Sequence, residues 1–136
     1  MSLRIKGVIV PLLTPFDERG ALDTTAVARL VDFLIARGVH GLFPGGTTGE
    51  GPLLSTDERR APAEAVVRAA DGRVPVIIHT GAITTHEAVA LTRHAQECGA
   101  YAAALITPFY FHYSDDALFR HFATVCEAAP DFPIYL

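Results

Sequence analysis

The sequence predicts an α/β fold built on a parallel β-sheet. Short apolar stretches alternate with amphipathic helical stretches, and this unit occurs four times before a fifth apolar stretch begins. The apolar stretches lack apolar–polar alternation, which is typical of strands buried on both faces of a parallel sheet. Regular alternation of strand and helix favours right-handed crossovers. On the residues alone, an open five-stranded sheet of flavodoxin-like shape fits 136 residues better than half of an eight-unit barrel, since such a barrel typically requires about 250 residues.

The strands and helices follow one another in a fixed order. Strands are expected at residues 8–13, 41–43, 74–81, 102–107 and 133–136. Gly38 and Gly99 follow the first and third helices, where glycine commonly ends a helix. Ser114 precedes two aspartates and suits the start of the fourth helix. The predicted apolar faces contain Val27, Leu30, Val31, Leu34 and Ile35 in the first helix, Ala88, Leu91, Ala95 and Cys98 in the third, and Leu118, Phe119, Phe122 and Val125 in the fourth.

Two helix starts have the spacing of a capping box. Ser55 lies three residues before Glu58, and Thr84 lies three residues before Glu87. Pro62 falls about two turns into the second helix, where we expect it to kink the helix or shift its start.

The composition excludes several classes of function. A net charge of −4 leaves no basic footprint for nucleic acid, and no apolar run approaches the roughly 20 residues that span a bilayer. The N-terminus lacks a signal-like apolar region, so a cytoplasmic protein is expected. Cys98 and Cys126 are too few for a disulfide framework, and both are interpreted as small buried hydrophobic residues.

Hydroxyl groups collect where the predicted strands end. Because the carboxyl ends of parallel strands meet at one edge of the sheet, we expect these hydroxyl groups to lie together on one rim. The segment 45–50 reads Gly-Gly-Thr-Thr-Gly-Glu and combines sharp turns with two hydroxyls and backbone N–H donors, so it can hold a carboxylate. A glycine-rich turn followed by a helix cap is the plainer alternative, and Glu50 is interpreted as a capping residue. The rim segments are Thr14-Pro15-Phe16, Thr47-Thr48, His79-Thr80-Gly81 and Thr107-Pro108-Phe109-Tyr110.

The sequence does not match the common motifs for binding nucleotides or zinc, or for a hydrolase nucleophile. Pro52 follows Gly51 where a phosphate-binding P-loop has lysine, and neither a Gly-x-Gly-x-x-Gly motif nor a Gly-x-Ser-x-Gly elbow follows a strand. His94 and Cys98 share a helix face, but a pair is too few for a zinc site. The sequence therefore predicts chemistry without a metal or an organic cofactor.

Four ordered motifs resemble the dihydrodipicolinate synthase / N-acetylneuraminate lyase family. They are residues 7–16, the Gly-Thr-Thr-Gly-Glu segment at 46–50, residues 73–82, and Thr107-Pro108-Phe109-Tyr110 with the helix that follows. The resemblance implies a (β/α)8 TIM barrel, of which this chain covers roughly the first four and a half β/α units. Residues 1–136 are then the N-terminal half of a single catalytic domain.

The resemblance also implies the chemistry and the site residues. Such enzymes form a Schiff base between a lysine and pyruvate or another 2-oxo acid, and act as aldolases or lyases without a cofactor. Thr47 matches a threonine of the proton relay, while Gly46, Thr47 and Thr48 match the segment that binds the carboxylate. Tyr110 matches a tyrosine lent across a dimer interface, so a homodimer or homotetramer is expected.

The chain departs from the family pattern in ways that leave alternatives open. Its only lysine is Lys6, before the first strand, and the family's lysine and central tyrosine would lie beyond Leu136, so Tyr135 is not a substitute. We expect a partial record of a longer enzyme, and the 136-residue chain alone to be inactive. Phe111 stands where synthase branches have asparagine, which favours a sugar-acid lyase or keto-deoxy-sugar aldolase branch as one alternative. A non-catalytic barrel that binds or senses a 2-oxo acid is the other.

Overall fold

A computed structural model describes residues 5–136, and it contains a parallel sheet whose strands follow the order of the chain. The strands are β1 (Ile9–Pro11), β2 (Gly41–Phe43), β3 (Ile77–His79), β4 (Ala102–Ala104) and β5 (Ile134–Tyr135). Parallel pairing joins β1 to β2, with Ile9 opposite Gly41, and joins β3 to β4 and β4 to β5. A parallel bridge between Leu42 and Val76 connects β2 to β3.

This strand order decides between the two architectures that the residues alone left open. A doubly wound sheet of flavodoxin type has the order 2-1-3-4-5, because the chain reverses direction after the first unit. Here a two-stranded sheet, β1-β2, adjoins a three-stranded sheet, β3-β4-β5, through the parallel Leu42–Val76 bridge. The resulting order is β1-β2-β3-β4-β5, which is how strands succeed one another in a TIM barrel. The flavodoxin-like expectation is therefore wrong.

Four helices connect the strands, with a short 3₁₀ turn in the second connection. Their bounds are α1 (Thr24–Ala36), α2 (Thr56–Ala70), α3 (Thr85–Glu97) and α4 (Asp115–Ala128), with the 3₁₀ turn at Gly51–Leu53. The Asp23 side chain accepts a hydrogen bond from the Ala26 N–H at 2.8 Å, and Ser114 caps α4 in the same manner. Gly38 and Gly99 have positive φ angles of 80° and 84° after α1 and α3, as expected for helix termination.

The two predicted capping boxes have different outcomes. Ser55 and Glu58 form the complete reciprocal box. Thr84 accepts from the Glu87 N–H, but the Glu87 carboxylate accepts a hydrogen bond of 3.1 Å from the Thr56 hydroxyl of the neighbouring helix, so the second box is only half formed. Pro62 does not shift the start of α2, because the helix already begins at the Ser55 cap and continues through the proline to Ala70.

The core lies between the sheet and the inner faces of the helices. One buried cluster is centred on α1, α2 and β2 and contains Leu12, Val27, Val31, Leu42 and Val66 among others. A second cluster lies between α3, α4 and β4 and contains Ala88, Leu91, Leu105 and Val125. Fully burying a valine or leucine side chain contributes about 1.5–3 kcal/mol, so the apolar faces that the 3.6-residue periodicity predicted are the faces that pack into the core.

Several apolar residues lie outside this core. Phe119 is 74% exposed although it was predicted to lie on the apolar face of α4, because α4 packs against α3 and the Phe119 side lies away from that contact. Cys126 is exposed and Cys98 only partly buried, so the expectation of two buried thiols is wrong for Cys126. Val8 and Leu13, which flank β1 at the open side of the described sheet, are also exposed, whereas all three residues of β3 are buried.

No helix within residues 5–136 is both long enough and apolar enough to cross a lipid bilayer.

Candidate active site

The loops predicted to carry function lie at one end of the sheet. Because β1 to β4 are parallel, the segments after Pro11, Phe43, His79 and Ala104 all leave from the same edge. This carboxyl-terminal edge is where catalytic groups collect in barrels of parallel strands. Lys6 precedes β1 and therefore lies at the opposite end, where it helps to line a cavity of about 700 Å³ with His40 and Tyr101.

Residues 45–50, the Gly-Thr-Thr loop, form a compact series of turns after β2. The N–H groups of Gly49 and Gly51 both donate to the Gly46 carbonyl at 3.1 Å, and the Glu50 N–H donates to the Thr47 carbonyl at 3.0 Å. A Cβ atom on Gly51 would overlap the Gly45 carbonyl oxygen, so this close return of the backbone requires glycine. The loop therefore has one tightly constrained backbone path.

The turn leaves hydrogen-bond donors available at its tip. Within residues 5–136, the N–H groups of Gly46, Thr47 and Thr48 donate to no other group of the chain. The Thr47 and Thr48 side chains are both exposed, while Gly46 is buried beneath them. Successive free N–H groups and hydroxyls in one turn can surround a small anion such as a carboxylate.

The loop is held against the segment that follows strand β1. The Thr14 hydroxyl donates to the Gly49 carbonyl at 2.7 Å, and a Cβ atom on Gly49 would come within 2.9 Å of the Leu12 carbonyl oxygen. Thr14 is thus engaged in holding the loop in place.

On its other side, the loop adjoins the end of β3, where a buried arginine is found. Arg59 of α2 is only 7% exposed, and its Nη1 and Nη2 atoms donate to the carbonyls of Gly81 and His79 at 2.9 and 3.0 Å. Thr80, between these residues, has its hydroxyl 2.8 Å from that of Thr92 on α3, and both side chains are fully buried. Side chains from α2 and α3 therefore fix the end of β3.

The electrostatics at the end of β3 hold His79 in its neutral form. Burial, reinforced by the positive charge of Arg59 and opposed by hydrogen bonding with the Gly45 backbone, lowers the pKa of His79 to about 4. Burial also lowers the pKa of Arg59, opposed by the charge of Glu87, but an arginine remains protonated in proteins.

Tyr110 lies in the loop after β4, at the same end of the sheet as the Gly-Thr-Thr loop. Its φ angle is 82°, which is strained for a residue with a side chain, and it is 87% exposed. Its ring packs edge-on against that of Phe111, with centroids 4.9 Å apart. Among the described residues, no hydrogen bond joins Tyr110 to Thr47 or Thr48, so the chain by itself brings the three loop residues together but not the tyrosine.

Sequence reasoning was wrong about Glu50 and missed Arg59. Glu50 is exposed in a left-handed conformation with φ of 56°, and its side chain makes no capping hydrogen bond. Arg59 shares the buried face of α2 with Pro62, Ala63 and Val66. A charged residue in the middle of an apolar helical face was the available signal, since such residues are rarely buried without partners.

Comparison with known proteins now places this arrangement in a family. The profile of the dihydrodipicolinate synthetase family matches residues 4–136. The chain belongs to this family. It is 45% identical to the 4-hydroxy-tetrahydrodipicolinate synthase of Thermus thermophilus over 96% of its length, and it spans 44% of that relative.

Several solved structures superpose closely on the chain. YagE, a prophage protein of E. coli K12 that belongs to the dihydrodipicolinic acid synthase family, has a TM-score of 0.91 and 39% identity in its complex with pyruvate, covering 94% of this chain and 43% of YagE. The N-acetylneuraminate lyase of Mycoplasma synoviae has a TM-score of 0.89 and 32% identity, covering 97% of this chain and 47% of the lyase. The fold is therefore that of the first four and a half units of a (β/α)8 TIM barrel, as expected.

Proposed function

We propose that the full-length protein is a Schiff-base-forming aldolase or lyase that acts on pyruvate or another 2-oxo acid. Residues 1–136 would supply the N-terminal half of its single TIM-barrel domain. The observation that carries the proposal is the Gly-Thr-Thr loop at the carboxyl-terminal end of the strands, which presents two exposed hydroxyls and three N–H groups that have no acceptor among residues 5–136. A family member crystallised with pyruvate supports the choice of ligand.

In this proposal the loop binds the carboxylate of the 2-oxo acid. The N–H groups of Gly46, Thr47 and Thr48 would donate to its two oxygens, as a concave run of backbone donors does for anions. Fixing the carboxylate fixes the distance of the C2 carbonyl carbon from the rim. That is the positioning contribution to catalysis, because a reacting carbonyl held in place loses little further entropy on reaction.

The nucleophile would be a lysine outside these 136 residues, since Lys6 lies at the wrong end of the sheet. Its amine adds to C2, water leaves, and the protonated imine accepts the electron pair that is released when a C3 proton or a C3–C4 bond is lost. The resulting enamine adds to an aldehyde in the synthetic direction. Retro-aldol cleavage is the same step reversed.

Proton transfer would be carried by hydroxyl groups. Thr47 is exposed at the loop tip and could pass a proton between the imine-forming centre and a tyrosine relay. We infer that the protein forms a homodimer or homotetramer in which Tyr110 of one subunit reaches into the active site of a second subunit. There its hydroxyl takes part in the proton relay. Its strained backbone and 87% exposed side chain support this role, because strain at an exposed aromatic residue is retained where it serves a function.

A sugar-acid lyase or keto-deoxy-sugar aldolase is the second candidate within the same chemistry. Phe111 replaces an amide with an apolar ring beside Tyr110, which removes a donor and an acceptor from this loop. The likeness to an N-acetylneuraminate lyase is compatible with this branch. Assays of the full-length protein for formation of 4-hydroxy-tetrahydrodipicolinate and for cleavage of sugar acids would distinguish the two branches.

Borohydride reduction tests the shared chemistry. Full-length protein incubated with pyruvate and borohydride should gain the mass of one reduced pyruvate per subunit, and protein without pyruvate should not. A barrel that only binds a 2-oxo acid would bind pyruvate without forming this adduct, so absence of the mass increase would contradict the proposal.

A further inference from the structure

A continuous series of contacts joins Arg59 to the Gly-Thr-Thr loop. The Arg59 Nη2 atom lies 3.3 Å from the Nδ1 atom of His79. The His79 ring packs edge-on against Phe43, with centroids 6.0 Å apart and an interplanar angle of 83°. The Phe43 ring in turn lies against Gly46, where an added Cβ atom would stand 3.2 Å from the phenylalanine Cε1. Gly46 opens the segment that binds the carboxylate in the proposed function.

Backbone hydrogen bonds reinforce the same connection. The His79 N–H donates to the Pro44 carbonyl at 3.0 Å, immediately before the loop. Arg59 holds the other side of His79 by donating to its carbonyl, and it also donates to the Gly81 carbonyl. The His79 backbone is therefore held between α2 and the start of the loop, while its ring contacts Arg59 and Phe43.

The arginine selects one protonation state of the ring. A guanidinium has donors and no acceptor, so the hydrogen bond between Arg59 and His79 requires a lone pair on Nδ1. The proton of the neutral ring must then be on Nε2. The charged groups that face this position are Arg59 from α2 and, beyond the guanidinium, Glu87 from α3. A protonated ring would place a second cation against a buried one.

We propose that Arg59 and His79 are positioning residues for the Gly-Thr-Thr loop. Arg59 fixes His79 in its Nε2–H tautomer, and the His79 ring, through Phe43 and the Pro44 carbonyl, sets where the Gly46–Thr48 backbone presents its N–H groups. This inference rests on the proposed function for what the loop binds. The Arg59–His79 contact itself does not depend on that function, so the two can be tested separately.

The first test uses the unmodified full-length protein. Nitrogen-15 labelling of the histidines and long-range ¹H–¹⁵N spectra report the tautomer of each ring, with His79 assigned by its loss in a His79→Gln variant. We expect a neutral Nε2–H ring at pH 7. A protonated ring or an Nδ1–H tautomer at that pH would overturn the proposal whether or not pyruvate forms an adduct.

The second test measures the pyruvate concentration that gives half-maximal borohydride trapping. Arg59→Met should raise this concentration tenfold or more, because a displacement of about 1 Å in a binding group has effects of ten- to a hundredfold. Arg59→Lys should behave similarly although it keeps the charge, since an ammonium cannot span two carbonyls and a ring nitrogen. Arg68→Met, at an exposed position of the same helix, should match the unmodified protein and is the control.

Substitutions of the histidine separate positioning from general stability. His79→Gln retains an acceptor for Arg59 but loses the ring that packs against Phe43, so its half-maximal pyruvate concentration should lie between those of the unmodified protein and Arg59→Met. His79→Leu loses both contacts and should resemble Arg59→Met. If the Arg59 variants do not fold, the two histidine variants still test the proposal. Half-maximal trapping at the same pyruvate concentration in His79→Gln and His79→Leu would overturn it. The proposal would also be overturned if Arg59→Met folds and its half-maximal pyruvate concentration is within twofold of that of the unmodified protein.

Discussion

Thr80 and Thr92 form a buried hydroxyl pair whose contribution to stability can be measured directly. Both side chains are fully buried, and their oxygens are 2.8 Å apart between the end of β3 and the inner face of α3. Valine has nearly the shape of threonine, so Thr80→Val leaves little cavity but deprives the Thr92 hydroxyl of its partner. An orphaned buried hydroxyl costs about 1–3 kcal/mol of unfolding free energy. Each single valine substitution should therefore destabilise by about that amount.

The double variant is the informative one. Replacing both threonines removes both hydroxyls, so no polar group is left unpaired and the loss should fall below the sum of the single losses by about 1 kcal/mol or more. Urea unfolding of the full-length protein at one fixed protein concentration gives the four free energies. Thr25→Val, at an exposed site on α1, is the matched control and should change stability by less than about 0.5 kcal/mol. Additive losses in the double variant would refute the reasoning.

Three further predictions concern the rim. Tyr110→Phe should lower kcat by about a hundredfold or more with little change in melting temperature, because the ring is exposed in the chain and its hydroxyl is proposed to relay a proton; an unchanged kcat would remove Tyr110 from the mechanism. Gly51→Ala should weaken pyruvate trapping more than tenfold, since its Cβ atom would overlap the Gly45 carbonyl and displace the loop; unaltered trapping would contradict the loop geometry. The pKa of His79 is about 4 when folded and about 6.5 when unfolded, so the unfolded state binds more protons in this range. The free energy of unfolding, measured relative to that of the His79→Gln variant, should therefore be constant above pH 7 and fall by about 3 kcal/mol towards pH 4. If urea unfolding gives the unmodified protein and the variant parallel pH profiles, the ring is not held neutral.

The order of secondary structure could be predicted from the sequence because it depends on local periodicity and capping. The five strands and four helices lie where apolar stretches and helical faces placed them, and the Ser55–Glu58 capping box is present. The choice between an open sheet and a barrel could not be made in this way. It depends on which strands are neighbours, a non-local property that only the motif resemblance anticipated.

Sequence patterns could not predict some features of the site and its surroundings, because these features also depend on contacts between distant parts of the chain. Periodicity places Phe119 on an apolar face but does not say how far the neighbouring helix covers that face. The half-formed box at Thr84 arises because Glu87 finds a partner in Thr56, a residue 31 positions away. Arg59 acts on β3 from α2 for the same kind of reason, since its partners become adjacent only when the strands and helices pack.

The location of the trapped pyruvate tests the central claim most directly. Full-length protein reduced with borohydride in the presence of pyruvate can be digested, and the modified peptide identified by mass spectrometry. We expect a single modified lysine that lies beyond Leu136, with trapping that weakens when Gly51 or Arg59 is substituted. An adduct on Lys6, or none at all, would contradict it.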